Sequence, residues 1–284
     1  MRRLAALALL FSLVAASAAD GGAKDPPRRV VSLNPCLDAI LLDVADPSQI
    51  VALSPYSHDP EQSAVWAQAR RYPAVSDSVE QVVSLRPDLV LISGIGASSL
   101  TNLLPRLGIA AVNFDVPSSV AQSEAQVRRV ARLVGHPERG EALVARIEAA
   151  LAAAAPPPGT RRLSALVYVN QGFASGPGTL MDELMRRAGF DNALRRYGFT
   201  QSADVPLELV VADPPQVLLA GRLAPGEPTW ADRVITHPAL RAVAGRMKRE
   251  TFPQTLLFCA GPVMIPAMQA LSAARRGALD GSAS

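Results

Sequence analysis

The stretch PERGEALVARIEAALAAA, Pro137 to Ala154, closed by Ala155 and Pro156-Pro157-Pro158-Gly159, decides the architecture of this chain. Proline opens a helix well, because the N–H it lacks is one that a helix start leaves unpaired anyway. Alanine then dominates, and the proline run stops the helix abruptly. At 1.5 Å per residue the helix is about 27 Å long. Gly135 and His136 divide it from an earlier helical stretch that starts at Val120, since glycine ends a helix readily. A rigid helix of that length is a strut, not a flexible linker.

Both flanks of the strut read as α/β. Upstream, Arg29-Val30-Val31-Ser32-Leu33 is a short buried strand broken by Asn34-Pro35, and Leu37, Ile40, Leu41 and Val44 then recur at helical spacing. The same succession of strand, turn and helix recurs at Ile50–Leu53, Leu89–Ile92 and Ala110–Phe114. Downstream, Leu163–Val169 and Val217–Ala220 are buried strands with helical segments between them. This alternation predicts mostly parallel sheets. An internal echo strengthens it: EQVVSLRPDLVL (Glu80–Leu91) matches ELVVADPPQVLL (Glu208–Leu219), with the glutamate, two valines, a proline and the strand hydrophobics in register. Helix-turn-strand units resemble one another generically, which accounts for part of the match. The remainder points to two related lobes. The expected organisation is an N-terminal α/β lobe over 20–118, a helical segment over 119–158 containing the linker helix 137–154, and a second α/β lobe over 159–284.

The N-terminus carries an export signal. Arg2 and Arg3 precede an apolar run from Leu4 to Leu13, and the small residues Ala15-Ala16-Ser17-Ala18-Ala19 close it. The run is too short for a hydrocarbon core of about 30 Å. Cleavage after Ala18 or Ala19 is expected, giving a signal peptide over 1–19. No cysteine stands at the cleavage point to take a lipid anchor, and the arginines lack twin-arginine context, so a periplasmic protein is expected. Without Arg2 and Arg3 the chain has 26 basic against 25 acidic side chains. That balance, with no basic stripe interleaved with aromatics, argues against a nucleic-acid partner. Hydrophobic content of 49% with 19% charged residues describes an ordinary globular protein.

Catalytic signatures are missing. There is no G-x-G-x-x-G after a strand, no Walker loop, no H-E-x-x-H, no C-x-x-C and no G-x-S-x-G. Of the histidines His58, His136 and His237, the last two precede proline at helix starts, which leaves only His58, beside Asp59, for a triad. No catalytic residue, resident metal or cofactor is assigned.

Three stretches of the first lobe carry a family resemblance: RVVSLNP from Arg29, IVALSPYSHDP from Ile50 and VEQVVSLRPDLVL from Val79. In the second lobe SGPGTLMDEL from Ser175, AGFDN from Ala188 and HPAL from His237 add to it. Together they resemble periplasmic binding proteins for cobalamin and iron–siderophore complexes, over nearly the whole mature chain. The resemblance implies two Rossmann-like α/β lobes joined by a single long helix, ligand held in the cleft between them, and delivery to an ABC-type permease in the inner membrane.

It also implies where ligand is held, in loops at strand ends on a rigid scaffold. The matching positions are Asn34, Pro35 and Cys36; Tyr56, Ser57 and His58; Gly94 and Gly96; Phe173; Phe258 and Cys259; and Trp230. Aromatic faces would take an apolar chelate, and hydroxyls and amides would orient it. Trp66 and Trp230 are expected on helices. Docking in this family uses one acidic residue per lobe: here Glu80, behind the helix cap Ser78, and in the second lobe Asp182 or Glu183. A carboxylate near a helix start is favourable without any partner, so docking is not the only account of Glu80.

Two departures bear on the ligand. The tryptophan that cobalamin binders carry just before the Glu80 position is replaced by Pro73-Ala-Val-Ser-Asp-Ser, and the cysteines Cys36 and Cys259 have no counterpart in the pattern. Mapped to loops of opposite lobes, the cysteines permit a disulfide across the cleft, given Cα atoms within about 7 Å. Cys36, Cys259 and His58 as soft metal ligands, or two inert buried cysteines, are the other readings. The expected ligand is cobalamin, then an iron–siderophore, then heme, whose axial ligand would have to be Tyr56, His58 or a cysteine. An exported hydrolase and a metal-ion-binding protein are the competing functions.

Overall fold

The computed structural model describes residues 25–94, 98–169, 172–221 and 237–280. The expected signal peptide lies outside them, as do Gly96 and Trp230.

The first lobe is a four-stranded parallel sheet of order β2-β1-β3-β4, built from β1 (Val30–Ser32), β2 (Ile50–Ala52), β3 (Leu89–Ser93) and β4 (Ala110–Phe114). Helices α1 (Pro35–Val44), α2 (Trp66–Ala69), α3 (Val79–Ser84) and α4 (Ser98–Leu103) connect the strands. Val30, Val31 and Leu89 to Ile92 are all buried, as expected for parallel strands covered on both faces.

Two helices then lead across, α5 (Val120–Leu133) and α6 (Pro137–Ala154), with bounds that match the strut read from the sequence. The buried face of α6 is Gly140, Leu143, Val144, Ile147, Leu151 and Ala154, one stripe at helical spacing.

The second lobe comprises β5 (Leu163–Val167), β6 (Phe173–Ala174), α7 (Leu180–Arg187), β7 (Phe190–Asn192), β8 (Ala203–Asp204), α8 (Leu207–Ala212), β9 (Val217–Ala220), α9 (Pro238–Ala242), β10 (Lys248–Thr251) and α10 (Met264–Asp280). Its main sheet is again parallel and four-stranded, in the order β10-β9-β5-β7, while β6 and β8 form a small antiparallel pair. The echo holds in three dimensions. α3 leads into β3 and α8 leads into β9, and each of these strands sits inside its sheet between two others.

The lobes are not separate bodies with a thin neck. One contiguous core runs from Val30, Leu37 and Leu41 through Val127, Val130, Leu143 and Ile147 to Val167, Leu184, Phe190, Met268 and Leu271. Smaller clusters line the far side of each sheet, around Val82 and Ile92 in one lobe and Leu166 and Val210 in the other. At the seam, Gly261 has a φ of +64°, and a Cβ there would lie 2.7 Å from Ile40 Cγ1. Only glycine fits that conformation and that approach. Its N–H donates to Ser123 Oγ of α5 at 2.8 Å.

Candidate functional site: a stapled cleft between two sheets

In open parallel sheets, ligand sites form in the crevice outside the carboxyl ends of the strands. Here those ends lead into Asn34 after β1, Tyr56 after β2, Gly94 after β3, Phe173 after β5 and Phe258 after β10. Asn34 caps α1: its Oδ1 accepts from the N–H groups of Cys36 (2.9 Å) and Leu37 (3.3 Å), with Pro35 opening the helix. That cap fixes Cys36 in the first turn.

Cys36 and Cys259 are disulfide-bonded, with Cα atoms 4.9 Å apart. Of the three readings open for these cysteines, the structure selects the covalent one. A disulfide sulfur is not the thiolate that binds metal. Among the described residues no group of three or more His, Cys, Asp or Glu side chains is placed to hold a metal ion. The metal-ion reading of Cys36, Cys259 and His58 is therefore corrected. The bond ties the first lobe at α1 to the segment that leaves the last strand of the second.

Beside the bond lies an aromatic wall. The Phe258 ring is 56% exposed and packs on half-buried Phe173, with ring centroids 6.2 Å apart and tilted by 42°. On the first lobe, Tyr56 is 58% exposed in a 3₁₀ turn, Pro55–His58. A further cavity of about 260 Å³ is shared by both lobes, lined on one side by Pro60 and the partly exposed Trp66 and on the other by Pro253 and Leu256. Trp66 stands on α2, a helix as expected.

Ser57 and His58 are set deeper in the turn than Tyr56. Ser57 is fully buried, and its hydroxyl donates to Asp38 Oδ2 at 2.6 Å. It shares a face with buried Ser54, because residues three apart line up in a 3₁₀ turn. His58 is half-buried, and its Nε2 is buried with no hydrogen-bond partner. Asp38, which nothing in the sequence singled out, is fully buried, and burial pushes its carboxyl up to about 7. Of the two aspartates of α1, Asp38 rather than Asp43 falls at helical spacing with Leu41, and that was the available signal.

The family model for periplasmic binding proteins matches residues 30–248. The chain belongs to that family. Solved structures agree in fold. A periplasmic heme-binding protein, RhuT from Roseiflexus sp. RS-1, is 24% identical with a TM-score of 0.72, covering 88% of this chain and 98% of its own. The periplasmic vitamin B12 binding protein BtuF of Vibrio cholerae is 17% identical with a TM-score of 0.68, covering 89% and 98%. CeuE of Helicobacter pylori, in a Ni-His complex, is 18% identical with a TM-score of 0.70, covering 91% and 86%. No curated protein matches the chain.

The acidic residues expected to face a permease divide sharply. Glu80 is exposed in the first turn of α3, and a hydrogen bond from Ser78 (2.7 Å) holds its carboxyl below the usual carboxylate range. Asp182 is 1% exposed and is taken up by Arg195 (2.9 Å), Arg186 (3.7 Å), Asn192 (3.2 Å) and the Gly178 N–H (3.2 Å). A carboxylate so enclosed cannot meet a partner's arginine, so the Asp182 assignment is corrected. Glu183 is also engaged within the protein, accepting from the Val120 N–H at 2.9 Å and from Arg187 at 2.7 Å. Glu208 lies in the first turn of α8, exposed, in register with Glu80 in the internal echo.

Proposed function

We propose that the protein is the periplasmic solute-binding component of an ABC importer, taking a metal chelate between its lobes and presenting it to a permease dimer. The observation that carries this is the aromatic-edged seam at the strand ends, Tyr56 on one lobe and Phe173 with Phe258 on the other, on a family scaffold. Exposed aromatic rings suit a flat, largely apolar ligand. The relatives named above that bind heme and vitamin B12 make a tetrapyrrole the favoured class, with heme ahead of cobalamin and a ferric siderophore third. That order departs from the sequence expectation, which placed heme last, because the heme-binding relative is the more similar in sequence. Asn34, Pro35, Cys36, Gly94 and Cys259 shape the floor of the seam in this reading, while Ser57 and His58 support Tyr56 from beneath.

The hydrolase reading finds no support in the geometry, since the Nε2 of its one candidate base, His58, is buried without a partner. Export through a cleaved signal and absence of a lipid anchor remain part of the proposal. The permease contact is assigned to Glu80 and Glu208, one exposed acid per lobe.

Hemin, cyanocobalamin and a ferric siderophore are tested by thermal shift and absorbance titration. One should raise the melting temperature in a concentration-dependent way, since ligand bound only to the folded state stabilises it by mass action. Tyr56→Ala and Phe258→Ala should each weaken that binding up to about tenfold, consistent with loss of an aromatic contact worth about 0.5–1.5 kcal/mol. No shift with any of the three would sink the chelate assignment.

A further inference from the structure

The Pro55–His58 turn is pinned from below at two points by one carboxylate. Asp38 Oδ2 accepts from the Ser54 N–H at 2.9 Å and from the Ser57 hydroxyl at 2.6 Å. Between these anchors Pro55 and Tyr56 are exposed. Asp38, Ser54, Ser57 and Ser32 are all fully buried. The second carboxyl oxygen, Oδ1, is buried with no hydrogen-bond partner. The site is unbalanced: Oδ2 takes both bonds to the turn, and the remaining donor beside the carboxyl is the Ser32 hydroxyl, which is directed to Asn34 O at 3.4 Å.

We propose that Asp38 is a positioning residue whose carboxyl sets how firmly the turn carrying Tyr56 is seated, and that this seating weakens as pH rises. Its bearing on ligand capture rests on the reading of the cleft given above.

The chemistry follows from the two oxygens. When Asp38 is protonated, Oδ1 can carry the proton and Oδ2 still accepts both bonds, so the neutral site is satisfied. When Asp38 is ionised, a fully buried charge is left with neutral hydroxyl and amide donors and no counter-charge, which is costly until water reaches it. Water reaches it when the turn lifts. Burial raises the seated carboxyl from 3.8 to about 7, partly offset by hydrogen bonds from Ser32, Ser57 and Ser54, and no neighbouring charge contributes. The turn and its continuation carry Tyr56, His58 and Asp59 as their own titratable groups. Charged groups on the elements packed against α1 are engaged elsewhere: Arg128 with Glu124 and Glu141, Arg139 with Asp46, and Arg146 with Asp43. A lifted turn leaves Asp38 an ordinary aspartate. Proton linkage then disfavours the seated form by roughly tenfold on going from pH 6 to pH 8.

Hydrogen exchange on the free protein tests this, read by mass spectrometry on peptides spanning 50–62 and corrected for the intrinsic pH dependence of exchange. Wild type should lose roughly tenfold in protection between pH 6 and pH 8. Asp38→Asn should show no such change. Ser57→Ala keeps the ionisable group but removes a bond that favours the charged form, so its transition should move to higher pH. An undiminished pH response in Asp38→Asn, or a midpoint that stays put in Ser57→Ala, overturns the proposal. Hemin titrations at pH 6 and pH 8 test the cleft reading separately, because the exchange experiment needs no ligand.

Discussion

Cys36 and Cys259, separated by 223 positions, join the N-terminal turn of α1 to the segment after the last strand of the second lobe. The staple adds covalent closure to a seam already made by packing, through the approach of Gly261 to Ile40. Lobe motion in this protein is confined to what a fixed floor allows.

Closing so long a loop restricts the unfolded chain strongly. Reduction, or the double substitution Cys36→Ser with Cys259→Ser, should lower unfolding stability by about 3–5 kcal/mol. Urea unfolding with and without a reductant measures it. An unchanged midpoint would show that the bond constrains nothing that packing does not already hold.

Gly261→Ala should destabilise the protein by about 1–3 kcal/mol, since the new methyl meets Ile40 at 2.7 Å on a backbone at φ +64°. Gly245→Ala is the control, because a Cβ there meets nothing within 4 Å and its cost should stay within about 0.5 kcal/mol. Equal effects at the two sites would contradict the tight seam.

Stability should fall as pH rises from about 4 to about 7, through Asp38. Its folded-state pKa is raised, from 3.8 to about 7, so the native state binds the proton more tightly than the unfolded chain. The contribution is fully present below the unfolded value and lost as pH passes the folded one, at most about 4 kcal/mol in all. Asp38→Asn should flatten that part of the stability profile in chemical denaturation. A slope preserved in the variant would assign it to other groups.

The acidic residues separate by location. Asp182→Ala should cost about 1–3 kcal/mol of stability by stripping partners from Asn192 and the Gly178 N–H. Glu80→Ala with Glu208→Ala should leave stability and ligand affinity unchanged while abolishing delivery in reconstituted transport assays. Normal uptake by that double variant would remove the docking role of both.

Much of the fold was legible because parallel strands buried on both faces are written as apolar runs, as at Leu89–Ile92 and Val217–Ala220. The strut was legible from Pro137 and the proline run. Strand β10, Lys248–Thr251, was not, because it is an edge strand paired only with β9 and most of its residues are exposed. In the site, loop positions could be read but side-chain direction could not. Ser57 turns inward only because Asp38, nineteen residues earlier, offers an acceptor there. Asp182 is buried because Arg195 closes on it from thirteen residues away, a pairing without periodicity. Glu208 was legible as the counterpart of Glu80, since the echo aligns the two, but the family resemblance pointed to Asp182 or Glu183 instead.

The core shared by both lobes makes the molecule a single folding unit despite its two-lobed outline. The buried stripe of α6, Leu143, Ile147 and Leu151, is in one cluster with α1 and β1 on one side and with α7 and α10 on the other. Neither half taken alone would cover that stripe. The chain is therefore expected to lose both lobes in one cooperative transition, with the stripe of α6 fully covered only once α10 packs against it.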